Sequence, residues 1–361
     1  MARSLLIIDP MKTGLLAKGA LVALAMAGAT AVVASQASAP PTTASPEASQ
    51  PSSGHEPGAR DTAYSLTPQN RTLRAPEKIF ESAYGSRANE LGGDVPPEGL
   101  PECPGAVSVA QDGAIYVLDQ INERIVKVRT GMENELIDIP GRTFWDMSLA
   151  SDGSIVLLDR TIGESVAVVD PTRQRPTREL SIRNKFLDHT GEVSGVYARS
   201  DGIWIENDNQ MLIRIADPEG NAVLQQVNGR FSSDGSRLLR AGIVSDRTVA
   251  VWQQPLAGGA AIESEVHFDT DIGYITHHAA DADGRLWLTV ALADEVAPGD
   301  SRNAHTEVVV LDRAGREISR ATLPTRDRTW LQGRAYEVAA DGSLYHLSCG
   351  QHSATLWKVS L

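Results

Sequence analysis

The sequence predicts an all-β chain: a six-bladed β-propeller whose ring is closed by an N-terminal strand completing the last blade. Three observations predict it. Six segments share one pattern, an apolar strand, a turn carrying Asp-Gly, and a second strand. The Asp-Gly pairs start at Asp112, Asp152, Asp201, Asp234, Asp283 and Asp341, 33 to 58 residues apart, the spacing of a repeated β-sheet unit. No stretch after residue 60 keeps a helical period over a convincing length. Short strands with turns at this spacing suit four-stranded blades around a channel.

The first element is an address. Lys12 and Lys18 precede a small apolar run, Gly19 to Ala34, and Ala37-Ser38-Ala39 carries the small-x-small pattern of a cleavage site. The run is shorter and poorer in Leu and Ile than a spanning helix, which needs roughly 20 apolar residues. Residues 1–39 therefore read as a signal peptide, and the protein as exported, periplasmic or extracellular, with no membrane span after cleavage. Residues 40–75 follow as a linker. Its start, PPTTASPEASQPSSGHEPGA, has no apolar side chain larger than Ala. Such a segment buries too little surface to offset its ordering entropy, so a disordered tether is expected.

Residues 76–361 form the propeller. At a tight hairpin, Gly takes positive φ freely and Asp bonds its own backbone, which is why the repeats carry Asp-Gly. The last repeat supplies three strands, near Ala335–Ala340, Ser343–Ser348 and Thr355–Leu361, and stops one short. An open sheet edge is a liability. The unpaired segment Lys78–Tyr84 is expected to fill it as the outer strand of the sixth blade. That closure brings Cys103, just before the first inner strand, to the same rim as Cys349, after a second strand of the neighbouring last blade. An exported compartment permits oxidation, so a Cys103–Cys349 disulfide is predicted.

Composition narrows function. The chain of 361 residues carries a net charge of −13, and aromatics are only 5%. An acidic surface repels phosphate backbones and few rings are available for base stacking, so nucleic acid is excluded as a partner. Cleavage at residue 39 removes three basic residues and one acidic, making the remainder more negative still. No Gly-x-Ser-x-Gly, His-Glu-x-x-His, Walker or dinucleotide motif is present.

One stretch of the first repeat, Asp119, Asn122, Arg124 and Ile125, runs Asp-x-x-Asn-x-Arg-Ile. It resembles the turn between second and third strands of the NHL repeat family. Phe231 to Leu238 (FSSDGSRL) is instead similar to the repeat of TolB-type propellers. The resemblance implies an NHL-like six-bladed propeller in which the turn Asp and Asn are structural. Some NHL-like propellers are lyases with a channel metal, and some six-bladed relatives are metal-dependent lactonases. No ligand motif of either is reproduced here.

Candidate site residues lie on the rim that collects the starts of inner strands and the turns between second and third strands. The starts supply Trp145, Asp146, Tyr197, His277, His278, Tyr336 and Glu337; the turns include Glu206 and His346. The longest insertion, Ala291–Ala304, is polar and is expected to form a lid on this rim. Asp146, His277 and Glu337 form a candidate metal set, with calcium or zinc as the ion. The sequence thus supports a non-enzymatic propeller binding a protein, peptide or glycan at the channel rim, with no cofactor. The alternative is a metal-dependent hydrolase or lyase in the channel. Arg or Trp side chains blocking the channel would favour the binder.

Overall fold

The structure, a computed structural model, describes residues 72–361 apart from 97, 99, 174, 298–299 and 325–331. The expected signal peptide and most of the expected linker lie outside the described residues. The chain from Leu73 onward already belongs to the propeller: Leu73 is buried and its N–H donates to Ser319 Oγ at 2.7 Å.

The strand β1 (Glu77–Ala83) precedes the repeats. Blade 1 is β2 (Ala106–Val109), β3 (Ile115–Asp119), β4 (Arg124–Val128) and β5 (Glu135–Asp138). Blade 2 is β6 (Asp146–Leu149), β7 (Ile155–Asp159), β8 (Ser165–Asp170) and β9 (Arg175–Ser181). Blade 3 is β10 (Val193–Arg199), β11 (Gly202–Asn207), β12 (Met211–Ala216) and β13 (Ala222–Asn228). Blade 4 is β14 (Arg230–Phe231), β15 (Arg237–Ser245), β16 (Thr248–Pro255) and β17 (Ile262–His267). Blade 5 is β18 (Ile272–Ala280), β19 (Leu286–Ala297), β20 (Asp300–Leu311) and β21 (Glu317–Leu323). Blade 6 is β22 (Tyr336–Val338), β23 (Leu344–Cys349) and β24 (Ser353–Val359), completed by β1. All six sheets are antiparallel and four-stranded.

Turn chemistry works as expected in four repeats. Asp112, Asp152, Asp234 and Asp341 each accept from the N–H two residues on at 2.9–3.0 Å. Gly113 between Asp112 and Ala114 sits at φ 79°, a conformation that favours glycine. In blade 5 the accepting residue is Asp281, two positions before the Asp-Gly. The NHL-like residues bind backbone. Asp119 accepts from Arg124 Nε at 2.8 Å and Asn122 Nδ2 at 2.9 Å, and Arg124 donates to the carbonyls of Ser86, Arg87 and Glu90. They pin the crossover from β1 to β2 against blade 1.

The ring closes between its ends. β1 pairs with β24 from Glu77↔Lys358 to Ala83↔Ser353. Cys103 and Cys349 form a disulfide across the same seam, both fully buried. Buried apolar side chains seal five of the six seams. They lie between blades 1 and 2, 2 and 3, 4 and 5, 5 and 6, and 6 and 1. Among the described residues no such cluster lies between blades 3 and 4. There Trp204 meets Phe231 edge-on at 5.2 Å, and Arg199 stacks over Phe231.

Two expectations need correction. Ala291–Ala304 is no loop: it continues β19 and β20 as a hairpin, with Leu292↔His305 and Asp294↔Arg302 paired. Polar residues with alternating spacing extend a strand as readily as they form a loop once a partner strand runs alongside. The inner strand of blade 5 begins at Ile272, so His277 and His278 sit inside it rather than at its start. β10 likewise begins at Val193, ahead of Tyr197.

The disulfide closes a loop spanning 246 positions of sequence. In the loop-entropy picture this stabilises by about 5 kcal/mol. Replacing both Cys103 and Cys349 by Ala should lower the unfolding free energy by an amount of that order in denaturant titration. An unchanged midpoint and slope would show that the seam holds without the bridge.

Candidate functional site

The inner strand of each blade has a neighbour on one side only, so its other edge turns backbone N–H and C=O groups toward the channel. Buried groups of this kind need partners. Blade 2 supplies two of them to blade 3. Asp146 Oδ2 accepts from Val196 N at 2.8 Å, and Ser148 Oγ accepts from Ala198 N at 3.0 Å. The inner edges are thereby tied by side chains where no strand can pair.

Two arginines complete this layer. Arg334 enters from the seam of blades 6 and 1, where its N–H and that of Gly333 both donate to Gly105 O. Its Nη2 reaches Asp146 Oδ2 and Val196 O, each at 2.7 Å. Its Nη1 lies 3.5 Å from Glu337, and its guanidinium stacks over Tyr197 at 4.6 Å. Arg230 makes a similar reach from blade 4. Its Nε and Nη2 grip Glu206 of β11 at 2.5 and 2.8 Å, while Nη1 donates to His278 O of blade 5. Tyr197 Oη donates to the same Glu206 carboxylate at 3.2 Å. The two guanidiniums and three carboxylates form a layer across the channel, joining blades 2, 3, 4, 5 and 6.

Gly195 makes the convergence possible. A Cβ there would lie 3.1 Å from Asp146 Oδ2, 3.5 Å from Glu206 Oε2 and 3.6 Å from Arg334 Nη2. The absence of a side chain lets acid and base from three blades meet at one point.

Of the sequence candidates, Asp146, Tyr197, His277, His278, Tyr336 and Glu337 all come to this layer or its borders. Asp146, His278 and Tyr336 are buried. Tyr336 stacks on His346 at 4.5 Å and lies 6.2 Å from His277. The Trp145 side chain engages Arg160 instead, whose guanidinium stacks over the indole at 3.6 Å. Asp146 Oδ1, His277 Nε2 and His278 Nε2 are buried and make no hydrogen bond among the described residues.

The layer divides the channel unevenly. On the side of the Asp-Gly hairpins lies a vestibule of about 750 Å³. Ser108, Ser148, Ala198 and Ser232 line it, and Arg230, Arg334, His277, His278 and Glu337 lie at its deep end. On the side where the inner strands begin, the space shrinks to about 40 Å³ between Asp146, Glu206, His277 and Arg334. The wider mouth is thus at the end opposite the rim picked out in the sequence.

Burial sets the electrostatics. It pushes His277 and His278 well below the ordinary imidazole value, and the Arg230 charge pushes the same way, so both are neutral. Burial lifts Asp146 and Glu337 above their ordinary values against the pull of Arg334. Burial is the largest influence and works against the Arg334 charge, but Asp146, Tyr197, Glu337 and Glu206 together outweigh it and Arg334 stays protonated. Among the described residues no group of three or more His, Cys, Asp or Glu is arranged to hold a metal ion. Within the candidate set, Asp146 and Glu337 both face Arg334.

Sequence reasoning missed Arg230 and Arg334, and gave Glu206 no role beyond the rim. A signal was present: Gly-Arg opens the inner strand at Gly229-Arg230 and stands just ahead of one at Gly333-Arg334.

No protein-family model and no curated protein matches the chain. Solved structures do. A member of the DUF4221 family from Bacteroides vulgatus is 10% identical, with 81% of this chain and 99% of that one covered at a TM-score of 0.51. A gluconolactonase from Xanthomonas campestris is 14% identical, with 80% and 95% covered at 0.42. Virginiamycin B lyase from Staphylococcus aureus is 13% identical, with 72% and 94% covered at 0.36. The Bacteroides structure supports the fold; at these identities nothing about activity follows.

Arg334→Ala should strip Asp146 of its counter-charge and cost about 3–5 kcal/mol of stability at neutral pH. Asp146 already has a raised value, so it favours the folded state most when protonated. Its contribution is full below the ordinary carboxylate value of 3.8 and declines as pH rises through the raised one. Without Arg334 the value rises further, so the deficit of Arg334→Ala should grow from pH 4 to pH 8 in denaturant titrations. A deficit independent of pH would show that Asp146 does not carry it.

Proposed function

We propose that the protein is an exported, non-enzymatic binding propeller that takes a protein, peptide or glycan group at a mouth of its channel. The observation that carries this reading is the charged layer. Arg230 and Arg334 cross the channel with their hydrogen bonds spent on Glu206, Asp146 and backbone carbonyls. The vestibule above it is roomy, lined by hydroxyls and closed at its deep end, which suits holding a group rather than passing it through. The disulfide is compatible with export, and among the described residues no helix is long and apolar enough to cross a membrane.

A metal-dependent hydrolase or lyase is the second reading. Asp146 Oδ1 and His277 Nε2 are both buried and unbonded, and both residues border the small pocket. A neutral imidazole is the form that ligates. Calcium or zinc would have to draw Glu337 and Asp146 away from Arg334.

A glycan array and a peptide array, probed with the full protein and with Ala198→Trp, test the binding reading. Ala198 lines the vestibule, and an indole there would intrude on its deep half. Signals retained by the protein and lost in the variant are expected. Equilibrium dialysis against zinc and calcium tests the alternative. Stoichiometric metal that disappears in both Asp146→Ala and His277→Ala would overturn the binding reading.

A further inference from the structure

Blade 4 is built differently from the others. Its inner strand β14 has two residues, paired as Arg230↔Leu239 and Phe231↔Leu238. Its second strand β15 has nine. Beyond Leu239, β15 keeps β16 on one side, through Arg240↔Trp252 to Ser245↔Thr248, and has no strand on the other among the described residues.

The direction of the backbone groups follows from the ladder. Arg237 O accepts from Ser232 N on the inner side, whereas Ser236 O accepts from Leu256 N on the β16 side. Alternation along the strand therefore turns the N–H and C=O groups of Leu239, Ala241 and Ile243 inward. Leu239 is covered by Arg230 and by the close approach of Gly229. Among the described residues Ala241 and Ile243 have no backbone partner on that side, which leaves a template for another strand.

A pocket of about 350 Å³ lies beside this edge, in the one seam that lacks an apolar cluster among the described residues. Met211 and the Trp252 ring give it apolar surface. Arg240 is the one full charge among its lining residues. His278, 5% exposed, also lines it, with Nε2 buried and unbonded. Just past the pocket, Ile243 and Val244 are 46% and 53% exposed.

We infer that the inner edge of blade 4 binds an extended peptide by strand addition. The peptide pairs its backbone with Ala241 and Ile243, sets an apolar side chain toward Met211 and Trp252, and places a carboxylate at Arg240. The open ladder demands a strand, the pocket selects alternate apolar side chains, and the lone positive charge selects an acidic residue. This site shares only His278 with the vestibule and stands or falls independently of binding there.

The test is a phage-displayed random heptapeptide library panned against the full protein. Enriched peptides should alternate apolar residues and carry a carboxylate. Adding one of them should slow amide exchange at Ala241 and Ile243 by about tenfold or more. Ala241→Pro removes the inward N–H without touching the ladder to β16 and should weaken binding by about tenfold, a loss of about one hydrogen-bonded anchor. Arg240→Glu, a surface change, should switch the selection to basic peptides and keeps the test open if the proline variant does not fold. No enrichment over the bare support, binding by both variants as tight as by the unaltered protein, or protection outside β15 would overturn the inference.

Discussion

Six strand edges converge on one axis, and no seventh strand is there to pair with them. Their backbone groups must be satisfied by side chains reaching across from other blades or, in blade 1, by the backbone of Gly333 and Arg334. Asp146 and Ser148 serve the amides of blade 3, Arg334 serves a carbonyl of blade 3, and Arg230 serves a carbonyl of blade 5. Once two guanidiniums are buried for this purpose, carboxylates must be buried beside them, because an unpaired charge in the interior is costly. Asp146 and Glu206 follow from that need, and the partly buried Glu337 joins them. The barrier across the channel is thus a consequence of closing the ring, and it is also what divides the channel into a vestibule and a small inner pocket.

The same requirement separates the seams. Five are sealed by apolar packing, and their stability grows with buried area. The seam of blades 3 and 4 depends on Arg230–Glu206, on Trp204 against Phe231, and on Arg199 over the same ring. Polar contacts of this kind are directional and leave space where geometry fails to match, and a cavity lies there. Closure at the other side of the ring is secured twice, by the β1–β24 pairing and by the Cys103–Cys349 bridge.

The fold was legible because its signals are local. Asp-Gly turns between alternating strands mark each hairpin, and the strand missing from the last repeat points to β1. The disulfide followed from that closure, since it placed Cys103 and Cys349 on neighbouring blades. The site was legible only in part. Asp146, Tyr197, His277, His278, Tyr336 and Glu337 were found by their position near inner strands, which alternation reveals. Arg230 and Arg334 were not, because an arginine ahead of a strand reads as a solvated charge until the ring brings its partners within reach. Those partners lie far off in sequence: 188 positions separate Arg334 from Asp146. The shortness of β14 was equally hidden, since the apolar pattern of FSSDGSRL does not tell how many residues pair.

The central claim is that guanidinium groups, with their carboxylate partners, bar the channel. A crystal structure of the protein soaked with zinc or calcium, with anomalous differences measured, tests it most directly. The account predicts Arg334 within hydrogen-bond distance of Asp146 and no anomalous peak in the inner pocket. An ion between Asp146 Oδ1 and His277 Nε2, with Arg334 swung aside, would contradict it.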